Sequence, residues 1–560
     1  MFRNRLVLLL IFFFIALPVI AQREYVPADH PVYRFLLRQT LEGRIQGFSW
    51  GMLPLSRHDV ADFLRPMRSD SIRAQLQPVD REILDDFVVE FEHDLDGASD
   101  HAHPFIPEFQ VGEMIRDDTR RYLYAYQDSG TAVFVDGLGN LTHDFSRGDS
   151  LRRAGATLGE LGIRIRGTLH DRLGFCLQAT NGALLGGSHD LALLDHRLLA
   201  NQKFNAPGEA TFYDISTGYL RYDADWLSVT LGREQMLWGV GYSDRAVFSD
   251  NSVPFSYFRI DLRSNTVHYS FLHGSLMAFD STGHSLSSKY IAAHRVEFNV
   301  GRRVRIGFSE AILYFNQPLN FAILNPFTFL TSARLQSESA TAGENNYNNL
   351  IWLDVEVLPV KDVRAYGSLL VDDLSFASLG KNNIAGNTNK FGWQGGAEWV
   401  APFGVPALLL TAEYTRINPF VLTHWTNVNG FTHYSLSLGP SLPPNSDEWL
   451  VGADWDALRR LTVGARLRFQ RSGESIRDAR GNIIFDAGDD VNRGVNHLLH
   501  PNVFLEGTRV NRTIASLRVD WQPVLQYVVR FEGWVRSINY PTLDRTLKDG
   551  FASLSLRVEY

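Results

Sequence analysis

One cysteine, Cys176, in 560 residues excludes an intramolecular disulfide framework and a cysteine-ligated zinc cluster. A basic excess is also lacking. Lys+Arg number 54 against Asp+Glu 62, for a net charge of −8, which is not the electrostatic profile of a nucleic-acid binder. After the first two dozen residues no apolar run is long enough for a membrane-spanning helix. Catalytic signatures are thin as well. The 17 histidines are scattered, and His101-Ala102-His103 lacks the spacing of a catalytic zinc helix. Thr423-His424 and Thr432-His433 carry no third member placed by sequence. The chain therefore reads as non-enzymatic, with no catalytic residue, no metal and no cofactor. Disorder is excluded, because 45% of residues are hydrophobic and 12% aromatic.

What is present begins with a secretory signal. Arg3 and Arg5 precede the apolar run Leu6 to Ala16, and Val19-Ile20-Ala21 supplies small residues for cleavage, so residues 1–21 are expected to be removed. Losing Arg3 and Arg5 takes the net charge from −8 to −10. Residues 22–104 then have helical periodicity. Val32, Phe35, Leu36 and Leu41 follow His30-Pro31; Ser56-Arg57-His58-Asp59 resembles a capping box. Pro78 opens a stripe of Val79, Ile83, Leu84, Phe87, Val88 and Phe91. Three short helices make a poor independent core, so their apolar faces are expected to dock on something larger.

From about Tyr122 the period becomes two. Leu161, Ile163 and Ile165 alternate with Gly162, Arg164 and Arg166, while Leu461, Val463, Ala465, Leu467 and Phe469 alternate with Thr462, Gly464, Arg466, Arg468 and Gln470. The chain ends on Ala552, Leu554, Leu556, Val558 and Tyr560 against Ser553, Ser555, Arg557 and Glu559. Short turns such as His170-Asp171 and Gly301-Arg302 join neighbours, whereas Ser332–Asn348, Thr423–Asp447 and Arg471–Asn502 are long and polar. Short turns at one end and long loops at the other are the asymmetry of an outer-membrane barrel. Open strands cannot span lipid, so residues 105–560 are expected to close into an antiparallel transmembrane barrel, apolar outside and charged inside. At roughly 25 residues per strand with its connection, 16 to 20 strands fit. A secreted sandwich or propeller is the soluble alternative.

Two features carry candidate chemistry. Inward positions are dense in Arg164, Arg166, Arg295, Arg305, Arg466, Arg468, Arg518, Arg530, Arg536 and Arg557, with Glu297, Asp354, Glu356, Glu398, Glu413, Glu532 and Glu559 among them. Such a surface either pairs across strands or recognises an acidic, hydroxyl-rich polymer through guanidinium forks and aromatic faces. The block Gly232 to Tyr242 leaves a predicted strand without a following helical pattern. It reads as a turn folding into the barrel or as a sugar-binding loop.

Val26-Pro27-Ala28-Asp29-His30-Pro31-Val32-Tyr33, Pro54-Leu55-Ser56-Arg57, Gly232-Arg233-Glu234 to Trp238-Gly239, His294-Arg295-Val296-Glu297-Phe298, Glu310, Leu324-Asn325-Pro326-Phe327, Val371-Asp372-Asp373 and Glu413-Tyr414-Thr415-Arg416 occur in an order that resembles the capsule-assembly Wzi family. The resemblance implies a monomeric outer-membrane barrel of about 18 strands, with helices at its periplasmic end. It also implies a lectin-like, non-enzymatic role in binding capsular or other surface polysaccharide. The family offers no invariant sugar ligands. Candidate contacts chosen by chemistry are Arg233 for charge-assisted hydrogen bonds, Trp238 and Tyr242 for stacking, and Asn325 and Asp372 for hydroxyls. The expected partners are polysaccharide and outer-membrane lipid, with no nucleic acid. A porin or export channel, and a lipid or glycan hydrolase, are the rival readings.

Overall fold

His30 Nδ1 accepts the Val32 amide at 3.2 Å and Pro31 opens helix α1, Pro31–Leu41. Ser56 and Asp59 form the reciprocal capping box of α2, Arg57–Leu64. Helix α3, Pro78–Glu90, begins at its proline, and α4, Glu92–Asp96, stops at Gly97, whose φ of 71° suits glycine. Phe35, Leu36, Val60, Leu64, Leu84 and Phe91 bury themselves in one core, to which the barrel contributes Val400 and Leu409. The docking expected of these helices is thus met by the barrel end. In this computed structural model residues 22–97, 102–104, 119–128, 130–205, 211–279, 283–317, 321–337, 347–373, 389–494 and 503–560 are described. The expected signal peptide and His101 lie outside them.

Eighteen long antiparallel strands close the barrel. They are β1 Thr131–Gly148, β2 Ala154–Leu169, β3 Leu173–Gly187, β4 Phe212–Asp223, β5 Leu227–Glu234, β6 Phe255–Arg263, β7 Val267–Phe279, β8 Ser285–Val300 and β9 Val304–Phe315. The circuit continues through β10 Tyr347–Val357, β11 Val363–Asp373, β12 Lys390–Val400, β13 Leu408–Ile417, β14 Ser446–Leu458, β15 Leu461–Glu474, β16 Thr508–Val524, β17 Tyr527–Tyr540 and β18 Arg545–Glu559. Closure comes from β18 pairing with Leu138–Gly148 of β1; the rest of that edge is taken by the short strand Tyr124–Asp128.

At one end the strands are joined by turns of two to seven residues, and there the helices sit. Asp86 of α3 holds Arg459 and Arg460 in the β14–β15 turn at 2.6 and 2.8 Å. Longer loops, including 188–211, 418–445 and 475–507, gather at the other end. Outward alternate positions are apolar and open: Leu161 is 75% exposed, Leu231 65% and Leu554 54%. Trp226, Trp399, Trp455 and Trp521 are exposed near the turn end, as an interfacial girdle requires. Tyr122, where the period-two pattern begins, is buried against Phe134 under the Arg166 guanidinium.

Candidate functional site

The lumen has two unlike halves. On the β6–β13 side it is filled. Strand β5 stops early at Glu234, and the chain turns inward so that Leu237–Trp238 pairs with Met52–Leu53 from the N-terminal segment. Trp238, Val247 and Phe248 pack with Phe431, Leu438 and Leu442 from the 418–445 loop. The wall facing them is apolar, through Leu272, Ile291, Leu313, Leu350, Trp352 and Leu370. This corrects the expectation of a charged lumen throughout: where a plug covers the wall, inward positions follow the rules of a protein core. Arg364 ties plug to wall, donating to Glu398 at 2.7 Å, Glu356 at 2.8 Å and the Val240 carbonyl at 2.8 Å.

On the β14–β18 side the inward positions are charged and reach water. Arg518 is 39% exposed, and Glu532 and Arg557 are each 45% exposed along their side chains. Arg518 and Arg530 share Asp520 at 2.8 and 2.6 Å. In the same register Ser516, Trp534 and Phe551 lie side by side. Leu517, Gly533 and Ala552 face the other way, so Trp534 and Phe551 point inward. Their rings stack at 5.6 Å with an interplanar angle of 21°, and the Arg536 guanidinium lies 5.1 Å from the Trp534 ring centre. At its outer end the crevice is bordered by the short connections 149–153 and 541–544 and by the long 475–507, and Phe551 packs in part against the cluster that includes Leu158, Leu191 and Leu198. Below it, Arg120 reaches Glu90 of α3 and Glu559 of β18, each at 3.7 Å. The groups arranged here are cationic forks with spare donors, carboxylates and a flat aromatic pair. That set holds hydroxyls and carboxylates and stacks on sugar rings; it has no nucleophile beside a base.

The five residues chosen from sequence do not converge. Trp238 is fully buried, with Phe248 at 5.1 Å and the Arg259 guanidinium at 5.7 Å from its ring centre, so a sugar has no face of it to stack on. Tyr242 borders the crevice: its hydroxyl donates to Asp454, and Arg466 Nε donates to it at 3.4 Å. Burial first, and then the Asp454 carboxylate, raise its pKa, so the phenol stays a donor. Arg233 shares the outward register of Leu231 on β5, half-buried, and its Nε has no hydrogen-bond partner. Asp372 accepts the Leu422 amide at 2.7 Å and holds the 418–445 loop. Asn325 is exposed in the β9–β10 connection, accepting the Phe327 amide at 3.1 Å.

Alternation alone puts Trp534 in phase with Glu532 and Arg536, and Phe551 in phase with Ser553, on the inner face; only the register of β17 against β18 makes the two rings neighbours. Gly47-Phe48-Ser49-Trp50-Gly51 spells the G-x-S-x-G of a nucleophile elbow. Here it is irregular chain inside the barrel, not a strand-to-helix turn, and Ser49 Oγ donates to Glu297 at 2.7 Å instead of to an imidazole. Among the described residues no cluster of three or more His, Cys, Asp or Glu could hold a metal ion.

A family model described as capsule assembly protein Wzi matches residues 144–535. No curated protein sequence matches the chain. Among solved structures, Wzi of Escherichia coli, an outer-membrane protein involved in group 1 capsule assembly and a carbohydrate-binding β-barrel, aligns at 14% identity. The alignment covers 95% of this chain and 99% of that one, with a TM-score of 0.57. OprD of Pseudomonas aeruginosa aligns at 10% identity over 76% of this chain and 95% of its own, with a TM-score of 0.43. OccAB4 of Acinetobacter baumannii aligns at 11% identity over 76% and 98%, with a TM-score of 0.42.

Proposed function

We propose, from the premise that this chain belongs to the capsule assembly protein Wzi family, that it is a non-enzymatic holder of surface polysaccharide whose binding face is the arginine- and aromatic-lined crevice inside β14–β18. The protein is an outer-membrane β-barrel, closed and capped by helices at the periplasmic end. The observation that carries the reading is the inward Trp534–Phe551 stack beside Arg536 and the water-accessible Arg518. A sugar ring would lie on the Trp534 face. The exposed donors of Arg518 and Arg557 would take carboxylates or hydroxyls, and Tyr242 would contribute at the inner edge. Each contact is weak. A long polymer that engages several such groups, on one barrel and on neighbours, is retained through effective concentration.

The test is direct binding of purified barrel to an anionic capsular polysaccharide and to a neutral glucan. Trp534→Ala and Arg518→Gln should each weaken the anionic polymer about ten-fold, the value of one lost stacking or charged contact of roughly 1.4 kcal/mol. Both variants should keep the heat-modifiable mobility of a folded barrel. Equal affinity in wild type and both variants would remove the crevice from the site. Equal affinity for the neutral glucan would remove the role given to the guanidinium groups. The channel reading is tested by planar-bilayer recordings, in which the plug and the helical cap lead us to expect silence.

A further inference from the structure

Residues 321–337 of the connection after β9 lie against the outside of the barrel. Two short helices, α5 (Phe321–Leu324) and α6 (Leu330–Ser337), lie against outward positions of β7–β10. Phe271, Ala292, Ile312 and Tyr314 occupy outward register positions yet are at most 1% exposed, because Ile323, Leu330 and Ala333 cover them. Comparable outward residues elsewhere, such as Leu161, are open.

Beneath the helices the wall carries groups foreign to a lipid-facing surface. Glu310 points outward and accepts the Leu330 amide at 2.9 Å, the Thr331 amide at 2.7 Å and the Thr331 hydroxyl. His294 Nε2 lies 3.1 Å from the same carboxylate, Asn349 donates to Thr331 Oγ1 at 3.1 Å, and the Tyr269 hydroxyl donates to the Pro326 carbonyl. Glu310 stands six residues up β9 from Val304 at the turn, roughly 15 Å at ordinary strand rise and tilt, within the hydrocarbon band of a barrel. An outward carboxylate at that depth needs a protein cover. The cover itself has an outer face. Phe321 is 86% exposed, Phe327 76% and Phe329 62%. Phe327 stacks on Tyr269 at 6.2 Å, and Phe329 lies 6.3 Å from both His294 and Phe308. These rings therefore continue the apolar belt at the level of the wall they cover, and are not held above it.

We propose that α5 and α6 form a lipid-embedded bracket, with Phe321, Phe327 and Phe329 inserted among acyl chains while α6 seals the Glu310–His294 pair from them. The occupant of this face is lipid because the face continues the surface by which the barrel meets the membrane. This inference is independent of the polysaccharide crevice, which lies on strands β14–β18.

The single native cysteine makes the test clean. In a Cys176→Ser background, cysteine is placed at 321, 327 or 329, spin-labelled, and the barrel reconstituted in 3:1 phosphatidylcholine/phosphatidylglycerol vesicles. Oxygen should relax all three labels more than a water-soluble nickel chelate does, matching a label at Leu554 and opposing one at Asp478. Preferential nickel access at 327 and 329 would overturn the bracket. So would labels shielded from both reagents, which would mean that protein covers the face. Should the cysteine variants fail to fold, the unmodified barrel in vesicles of acyl-chain photoreactive phosphatidylcholine decides the question. Adducts between Phe321 and Ala333 are expected, and adducts on the Leu554 strand without any there reject the proposal.

Discussion

Arg38, on helix α1, is ion-paired with Asp456 on the wall strand β14, and through its second amino group with Asp80 of α3 at 2.7 Å. All three side chains are shielded, Arg38 and Asp80 being 1% exposed. One guanidinium thus joins two helices of the cap to the barrel. Burial opposes its charge, but Asp456 and Asp80 outweigh that and raise its pKa.

Arg38→Leu leaves Asp80 buried without its cation and Asp456 with only Arg34 at 3.5 Å, and should destabilise the cap by about 3–5 kcal/mol. Limited proteolysis of the purified barrel checks this. Cleavage within residues 22–97 should speed up strongly, while the strands remain resistant and heat-modifiable. Unchanged cleavage would show that the pair does not hold the cap.

Trp238→Ala removes a fully buried indole from the plug. Loss of contacts and the resulting cavity should lower stability by about 3–5 kcal/mol, seen as a lower midpoint in heat-modifiability. The loosened plug should also produce conductance bursts absent from wild type. Glycan affinity of the folded fraction should stay within about two-fold, an order-of-magnitude allowance for a side chain remote from the crevice; a ten-fold loss would assign Trp238 to binding.

His433 lies in the 418–445 loop, its Nδ1 accepting the Met277 amide at 2.9 Å. Burial, with Arg233 and Lys289 nearby, pushes its pKa down to about 3. Between roughly pH 6.5 and 3 the unfolded chain binds a proton that the folded chain refuses, so stability falls as pH falls through that window. His433→Asn keeps an acceptor for Met277 and cannot titrate. Its melting midpoint should therefore change less between pH 6.5 and 4 than that of wild type. Parallel profiles would exclude His433 as the titrating group.

Binding of an anionic polymer to Arg518 and Arg557 takes place in a crevice that water reaches, so salt should screen it. Raising sodium chloride from about 0.05 to 0.5 M should weaken affinity several-fold. Binding that ignores salt would leave only stacking on Trp534 and Phe551.

Much of the molecule was legible before the fold. The Ser56–Asp59 capping box and the helix starts at Pro31 and Pro78 are local events between residues a few positions apart, and they stand where the sequence puts them. The greasy alternates Leu161, Leu467 and Leu554 face outward as period two requires. Arg164, Arg295 and Arg518 face carboxylates of other strands on the inner wall. A strand that spans lipid must pair on both edges, so closure into a tube followed from the pattern alone.

Alternation tells which side of the wall a residue faces, and not what covers that side. Trp238 and Phe248 became core because Met52 and the 418–445 loop arrive from distant parts of the chain to bury them. Trp534 became a candidate sugar platform because Arg518 and Glu532 beside it stay open to water, while its partner Phe551 leans on the cluster that includes Leu191 and Leu198. Glu310 can stand outward at membrane depth because α6 returns to cap it. Burial is a property of the surroundings assembled in three dimensions, and at these positions tertiary packing separated plug from crevice and crevice from lipid face.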